Sequence, residues 1–157
     1  MASPARSDRQ RVAENRRARH DYEILETLEA GIALSGTEVK SARAGHVSLV
    51  GGFVKFEGNR AWLCGVRIAP YEFGNQFNHD PERPRPLLLH RREITHWSGL
   101  TARKGLTVVP LAAYFRKGKL KIELGLARGR QSPDKRELLK RKTAEREAAR
   151  AIRSAHR

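Results

Sequence analysis

At 157 residues the chain has the length of one domain, and its 32 Lys+Arg against 17 Asp+Glu give a formal charge of +15. A sequence pI near 11 favours nucleic acid or a ribonucleoprotein as partner. No stretch reaches the apolar length of a membrane span and the first residues lack a signal-peptide core, so a cytoplasmic protein without a membrane partner is expected.

The charge sits at the ends. Residues 1–20 hold six Arg and two acids, and residues 128–157 hold eleven Lys+Arg and four acids. That leaves +4 for 21–127, where the aromatics and nearly all large aliphatics lie. The expected organisation is a disordered basic arm over 1–13, a compact domain over 14–129 and a basic tail over 130–157.

Taken in chain order, period-two patterns dominate the middle. A hairpin is expected between 22–28 and 32–34, turning near Ala30-Gly31, and a short helix over 37–44 with Thr37 as N-cap and Gly45 as stop. A second hairpin pairs 53–57 with 61–68 around Gly58-Asn59. From 70 to 86 the chain reads PYEFGNQFNHDPERPRP, with four prolines and no usable period. Loops of that length are usually functional or disordered. Its aromatics beside Arg83 and Arg85 suit unpaired bases, and they suit equally a lid folded back on the domain. The triplet Leu87-Leu88-Leu89 leaves two readings, a fully buried segment or a strand with Leu88 pointing outward as an apolar platform. Ile94, Trp97 and Leu100 mark a helix over 90–103 that stops at Gly105. The last hairpin joins 106–115 to the alternating Leu120, Ile122, Leu124 and Leu126. Six short strands in hairpins indicate a mainly β fold, a small antiparallel barrel or sandwich with flanking helices.

The tail reads as helix without a core. Pro133 suits a first helical position, Asp134 and Glu137 have capping-box spacing, and Arg141/Glu145 is an (i, i+4) pair. Its large apolar residues are only Leu138, Leu139 and Ile152, too few for a core-facing stripe, so either a polyanion orders it or it solubilises the chain. Cys64 stands alone and reads as a small core residue. His20-Asp21 and His79-Asp80 lack the third partner that a metal or nucleophilic site needs, so neither metal, cofactor nor enzyme activity is expected.

Several ordered motifs then stand together: Asn15-Arg16-Arg17-Ala18-Arg19-His20-Asp21-Tyr22, Glu29-Ala30-Gly31, Gly36-Thr37-Glu38-Val39-Lys40-Ser41 and Arg43-Ala44-Gly45. They continue in Pro70-Tyr71, Phe77-Asn78-His79-Asp80-Pro81, Arg83-Pro84-Arg85, Leu87 through Ile94, Lys104 through Thr107, Gly125 through Gly129, and Asp134-Lys135-Arg136. Over about 14–157 the chain resembles the SmpB family, the SsrA-binding proteins of bacterial trans-translation. The resemblance implies a six-stranded, OB-like antiparallel barrel with flanking helices and a tail that is helical on the ribosome. It also implies a non-enzymatic adaptor that binds the tRNA-like domain of transfer-messenger RNA (tmRNA) and delivers it to stalled ribosomes. Elongation factor Tu would come with the charged tmRNA, and the tail would probe the empty message channel along small-subunit ribosomal RNA. A monomer is expected. Pro86 and Pro133 depart from the family pattern, and Gly129-Arg130-Gln131 is less lysine-rich than usual. A generic OB-type ribosome-associated or ribosome-assembly protein is the alternative.

On that resemblance the expected RNA contacts are Asn15, Arg16, Arg17, Arg19, His20, Glu29, Lys40, Arg43, His79, Arg83, Arg85, Leu88, His90 and Arg91. The expected ribosome contacts in the tail are Arg130, Asp134, Lys135, Arg136, Lys140, Arg141, Lys142, Arg146, Arg150 and Arg153.

Overall fold

The computed structural model describes residues 9–74, 78–129 and 135–155. Its elements run β1 (Arg9–Glu14), α1 (Arg16–Asp21), β2 (Tyr22–Ile32), α2 (Gly36–Arg43), β3 (Val47–Ser48), β4 (Phe53–Glu57) and β5 (Arg60–Cys64). They continue with β6 (Arg67–Ile68), β7 (Arg85–Leu88), α3 (Arg91–Lys104), β8 (Thr107–Arg116), β9 (Lys119–Gly129) and α4 (Lys135–Ala155). Seven strands form one antiparallel sheet in the order β1-β8-β9-β2-β7-β5-β4, and β3 pairs with β6 in a separate ribbon. The fold is mainly β and OB-like, with more strands than the six expected. The ladder is open between β1 and β4, yet the sheet curls so that Val54 of β4 shares one core with Val108 and Ala113 of β8.

The hairpin at 116–119 forms as its sequence dictates. Leu120, Ile122, Leu124 and Leu126 are buried, and Lys117 and Gly118 both take positive φ (52° and 78°), the two-residue geometry that matches strand twist. By contrast, the hairpin expected near Ala30-Gly31 does not exist. Residues 22–32 are one strand, paired with β9 from Tyr22↔Gly129 to Gly31↔Lys121. Gly31 permits close packing, because a Cβ there would stand 3.2 Å from Leu88 Cβ.

Two further expectations are corrected. Residues 9–13, expected in a disordered arm, belong with Glu14 to β1 and cover the edge of β8 from Arg9↔Arg116 to Glu14↔Ala112, with Val12 and Ala13 packed on the core. The helix expected at 37–44 is α2, capped by Ser35 instead of Thr37. Ser35 N–H donates to Glu38 Oε1 at 2.9 Å and Ser35 Oγ accepts from Glu38 N–H, a capping box. The helix expected over 90–103 forms as Arg91–Lys104, with Ile94 and Trp97 buried and Gly105 left-handed at its end.

The tail also has something to bury. Trp62 and Cys64 alternate with Ala61 and Leu63 along β5, so they leave the main core on the opposite side. There Ala148 and the fully buried Ile152 of α4 cover them, with Phe53 alongside. Two residues spaced (i, i+4) suffice because an aromatic strand face receives them. Cys64 is the core residue expected, its thiol pushed up to about 12 by burial. Among the described residues no helix is long and apolar enough to cross a membrane.

Candidate nucleic-acid interface

Asn15 begins the site and is not a surface residue. It is 3% exposed; its Nδ2 donates to the carbonyls of Pro110 (2.9 Å) and Leu49 (3.2 Å), and its Oδ1 accepts from Ala18 N–H (3.1 Å). The expected RNA contact at Asn15 is therefore a scaffold bond, since every polar atom of the side chain is already used. It pins α1 to the sheet while Ala18 packs beneath, on Leu111 and Ala127. With Ala18 as the inward residue, Arg16, Arg17, Arg19 and His20 point to solvent. Their side-chain exposure runs from 44% for Arg19 to 90% for Arg16. Among the described residues Arg16 pairs with Glu14 (3.7 Å) and Arg17 with Asp21 (3.5 Å), exposed pairs that contribute little and exchange readily for phosphate.

Next to α1 lies the outer face of β2 and β9. Register places Glu29 directly opposite Glu123, an arrangement of like charges that destabilises a sheet unless cations intervene. Arg9 intervenes, 3.7 Å from both carboxylates and 4.4 Å over the Tyr114 ring. Arg19 reaches Glu123 at 3.1 Å, Arg116 reaches Glu29 at 3.2 Å, and Tyr114 OH donates to Glu29. Burial and that bond to a carboxylate push the Tyr114 phenol well up, so it stays a donor. Two residues further along both strands come Gly31 and Lys121, then Leu88 of β7, 62% exposed. Leu88 therefore points outward, and His90 and Arg91 follow it, exposed at the start of α3.

The proline-rich segment does the reverse. Glu38 is fully buried in α2, and both loop arginines turn in to meet it. Arg83 donates to it at 2.6 and 3.1 Å. Arg85, 0% exposed, donates to Glu38 Oε2 through Nε, to Val66 O at 2.9 Å and to Pro81 O at 3.0 Å. Burial pushes the Glu38 carboxyl up, but donation from Arg83, the Ser35 backbone and Arg85 outweighs it and holds the group down at about 2. His79 is equally committed. Its Nε2 donates to Ile68 O at 2.8 Å, so its Nδ1 accepts from Thr37 Oγ1, also at 2.8 Å. The RNA contacts expected at His79, Arg83 and Arg85 are thus taken up by the fold, most completely at Arg85. Lys40 and Arg43 are exposed on α2, where Lys40 stands 5.5 Å from the Tyr71 ring and Arg43 4.5 Å from that of Phe115.

In the tail, Lys142, Arg146, Arg150 and Arg153 are exposed on α4, while Arg141 lies over Tyr22 and donates to its hydroxyl. Arg130 and Asp134 fall outside the described residues, and the side chains of Lys135, Arg136 and Lys140 are likewise not described.

The family profile described as SmpB protein matches residues 12–154, from within β1 to within α4. The chain belongs to the SmpB family. An SsrA-binding protein of Carboxydothermus hydrogenoformans is 54% identical over 143 residues, 91% of this chain and 96% of the relative. One from Chloroflexus aggregans is 56% identical over 142 residues, 90% of each chain. A solved chain from work on tmRNA–SmpB at the center of the bacterial ribosome matches with a TM-score of 0.66 and 53% identity. It covers 88% of this chain and 94% of its own length.

Within this SmpB-family chain the structure gathers Arg19, Glu29 and Leu88 on one continuous face, with the other α1 cations at its border. Reading the sequence missed Arg9, Tyr114, Arg116, Lys121 and Glu123 on that face. The signal was present in the alternation, since Lys121 and Glu123 are the outward partners of Ile122 and Leu124.

Proposed function

We propose that the chain binds the tRNA-like domain of tmRNA through α1 and the outer face of β2 and β9, and delivers it to ribosomes stalled on truncated message. It acts as an RNA adaptor and not as an enzyme, working in the cytoplasm as a monomer, with elongation factor Tu recruited on the charged RNA. The supporting observation is the array of loosely paired guanidinium groups on α1 together with exposed Leu88 further along the outer face, in a chain matched along nine-tenths of its length by SsrA-binding proteins. Arginines in weak surface pairs can displace counterions from RNA at little cost to the fold. The outer face supplies the remaining chemistry. Glu29, held by Tyr114 and Arg116, offers an oriented acceptor to a ribose hydroxyl or base amine, and Leu88 offers an apolar surface to a base or sugar. The division into an RNA-binding barrel and a basic tail follows the charge, with α4 presenting Lys142, Arg146, Arg150 and Arg153 to ribosomal RNA in the message channel.

The test is a gel shift of full-length protein on the tRNA-like domain, with an equally long ribosomal RNA hairpin as competitor, beside a tagging assay. The tRNA-like domain should win the competition. Charge reversal at Lys142, Arg146 and Arg150 should spare the shift and abolish tagging. Equal competition by the hairpin refutes the RNA assignment, and loss of the shift together with tagging refutes the separate role of the tail.

A further inference from the structure

After β6 the chain leaves the domain and returns at two points, both fastened to α2. At the exit the buried Ser41 hydroxyl donates to Ala69 O at 2.6 Å, and Ala69 N–H donates to His46 O at 3.0 Å. At the return His79 bridges Thr37 and Ile68 O. Between them Asn78 closes a clasp: its Nδ2 donates to Tyr71 O (2.6 Å) and its Oδ1 accepts from Tyr71 N–H (2.9 Å). Gly74 N–H also donates to Tyr71 O (3.0 Å), so 71–74 is a β-turn with Glu72 and Phe73 at its corners. Glycine at 74 leaves room for the clasp, because a Cβ there would stand 2.8 Å from Asn78 Nδ2.

What this frame holds out is an aromatic side chain. Phe73 is 72% exposed, more than Leu88. The Tyr71 ring meets it edge to face, with centroids 5.6 Å apart at 71°, which leaves most of the Phe73 ring in water. The Lys40 ammonium stands 5.5 Å from the Tyr71 centroid, and Arg43 follows three residues on along the same side of α2. Among the described residues these cations meet the Tyr71 and Phe115 rings and Gly118 O, and no carboxylate. A single exposed apolar side chain means little. Here the ring is fixed by its turn, backed by a second ring and flanked by two cations without counter-charges. Sequence left the aromatics of this segment open between unpaired bases and a lid, and Phe73 is not a lid.

We infer that the Tyr71–Phe73 tip is a second RNA site of this chain: one unpaired base stacks on the Phe73 ring, and the phosphates beside it lie on Lys40 and Arg43. Every base offers a π-face, so the site takes single-stranded RNA without reading its sequence. Bases within a duplex already stack on one another and cannot use it. The exposed carboxylate of Glu72 at the other corner repels phosphate, which leaves the Lys40 side for the backbone. The site shares no residue with α1 or with the outer face of β2 and β9. It rests on the reading of the chain as an RNA binder, to which it adds a place for an unpaired segment.

The test irradiates the full-length protein with a short oligouridylate carrying 5-iodouridine, whose base joins to an aromatic ring stacked on it, and maps the crosslinked peptides by mass spectrometry. Crosslinks at Phe73 and Tyr71 are expected. Phe73→Ala and Phe73→Leu should each lower the yield at Tyr71 roughly tenfold, the loss of one base–aromatic stack, while Phe73→Trp should keep it. Lys40→Ala/Arg43→Ala should make the salt dependence of the Phe73 yield shallower by about 1.4, at roughly 0.7 per single-strand phosphate contact. Melting temperatures should stay unchanged in all the Phe73 variants. Crosslinks confined to other segments overturn the site, and so does an undiminished yield in Phe73→Ala. An undiminished yield in Phe73→Leu overturns the stacking, because any apolar side chain would then serve. A large fall in the melting temperature of Phe73→Ala returns the ring to the core and overturns it as well. A gel shift on the tRNA-like domain runs alongside. If that RNA shifts and the crosslink at 71–73 is missing, the second site alone falls; if neither RNA binds, the RNA-binding reading falls with it.

Discussion

On α1, Arg16, Arg17 and Arg19 stand in solvent beside surface carboxylates, whereas Arg83, just ahead of β7, and Arg85, its first residue, close around the buried Glu38. Both groups lie in basic stretches, and composition alone assigns both to RNA. What separates them is the carboxylate. Glu14 and Asp21 are solvated and cannot hold a guanidinium against phosphate, while a buried Glu38 cannot remain charged without two of them. In the second region the positive charge is spent on folding: it fastens the proline-rich segment to α2 and to the Val66 and Pro81 carbonyls.

The comparison breaks most visibly in stability. Arg85→Ala or Glu38→Ala strips one side of a buried pair and should cost about 3–5 kcal/mol, read as a drop in the urea midpoint. Arg85→Lys should not restore it, because one ammonium cannot donate along the directions that the guanidinium fork uses. Arg16→Ala and Arg17→Ala should each stay within about 0.5 kcal/mol of the parent. Equal losses in both regions would erase the distinction.

Acid titration is the next largest effect. The folded Glu38 carboxyl sits at about 2, below its ordinary 4.5. A depressed folded value means that its contribution is complete above the unfolded pKa and is lost as pH falls through the folded one. About 3 kcal/mol should therefore disappear between roughly pH 5 and pH 2. Stability of Glu38→Gln should be flatter in that window, measured by denaturant melts at successive pH values.

What could be read without coordinates follows the same division. Alternation made the β8–β9 hairpin plain, because Leu120, Ile122, Leu124 and Leu126 share one face, and the left-handed stop at Gly105 was equally plain. The Glu38–Arg85 pair was not, since 47 residues separate its members and nothing local says which way an arginine turns. Gly31 misled because a glycine after Ala30 resembles a turn, when its purpose is to admit Leu88. The docking of α4 left two faint marks: Ala148 and Ile152 at (i, i+4), and a β5 in which Trp62 and Cys64 occupy the positions where polar residues would face water. Both have meaning only once the two segments meet.

A smaller effect sharpens the RNA face itself. Leu88 is exposed, so Leu88→Asp should leave the melting temperature nearly unchanged while weakening binding to the tRNA-like domain. A large loss of stability would return Leu88 to the core and remove it from the interface.

The most direct measurement compares the two groups of arginines on RNA. Binding of the tRNA-like domain is titrated across salt concentrations for the parent, Arg16→Ala/Arg17→Ala and Arg83→Ala, each at a temperature where it is fully folded. The expected result is a salt slope shallower by about 1.4–1.8 in the α1 double variant, at roughly 0.7–0.9 per lost phosphate contact, and unchanged in Arg83→Ala. An unchanged slope in the α1 variant, with the loss appearing in Arg83→Ala instead, would contradict the assignment of RNA to α1 and of the loop arginines to the fold.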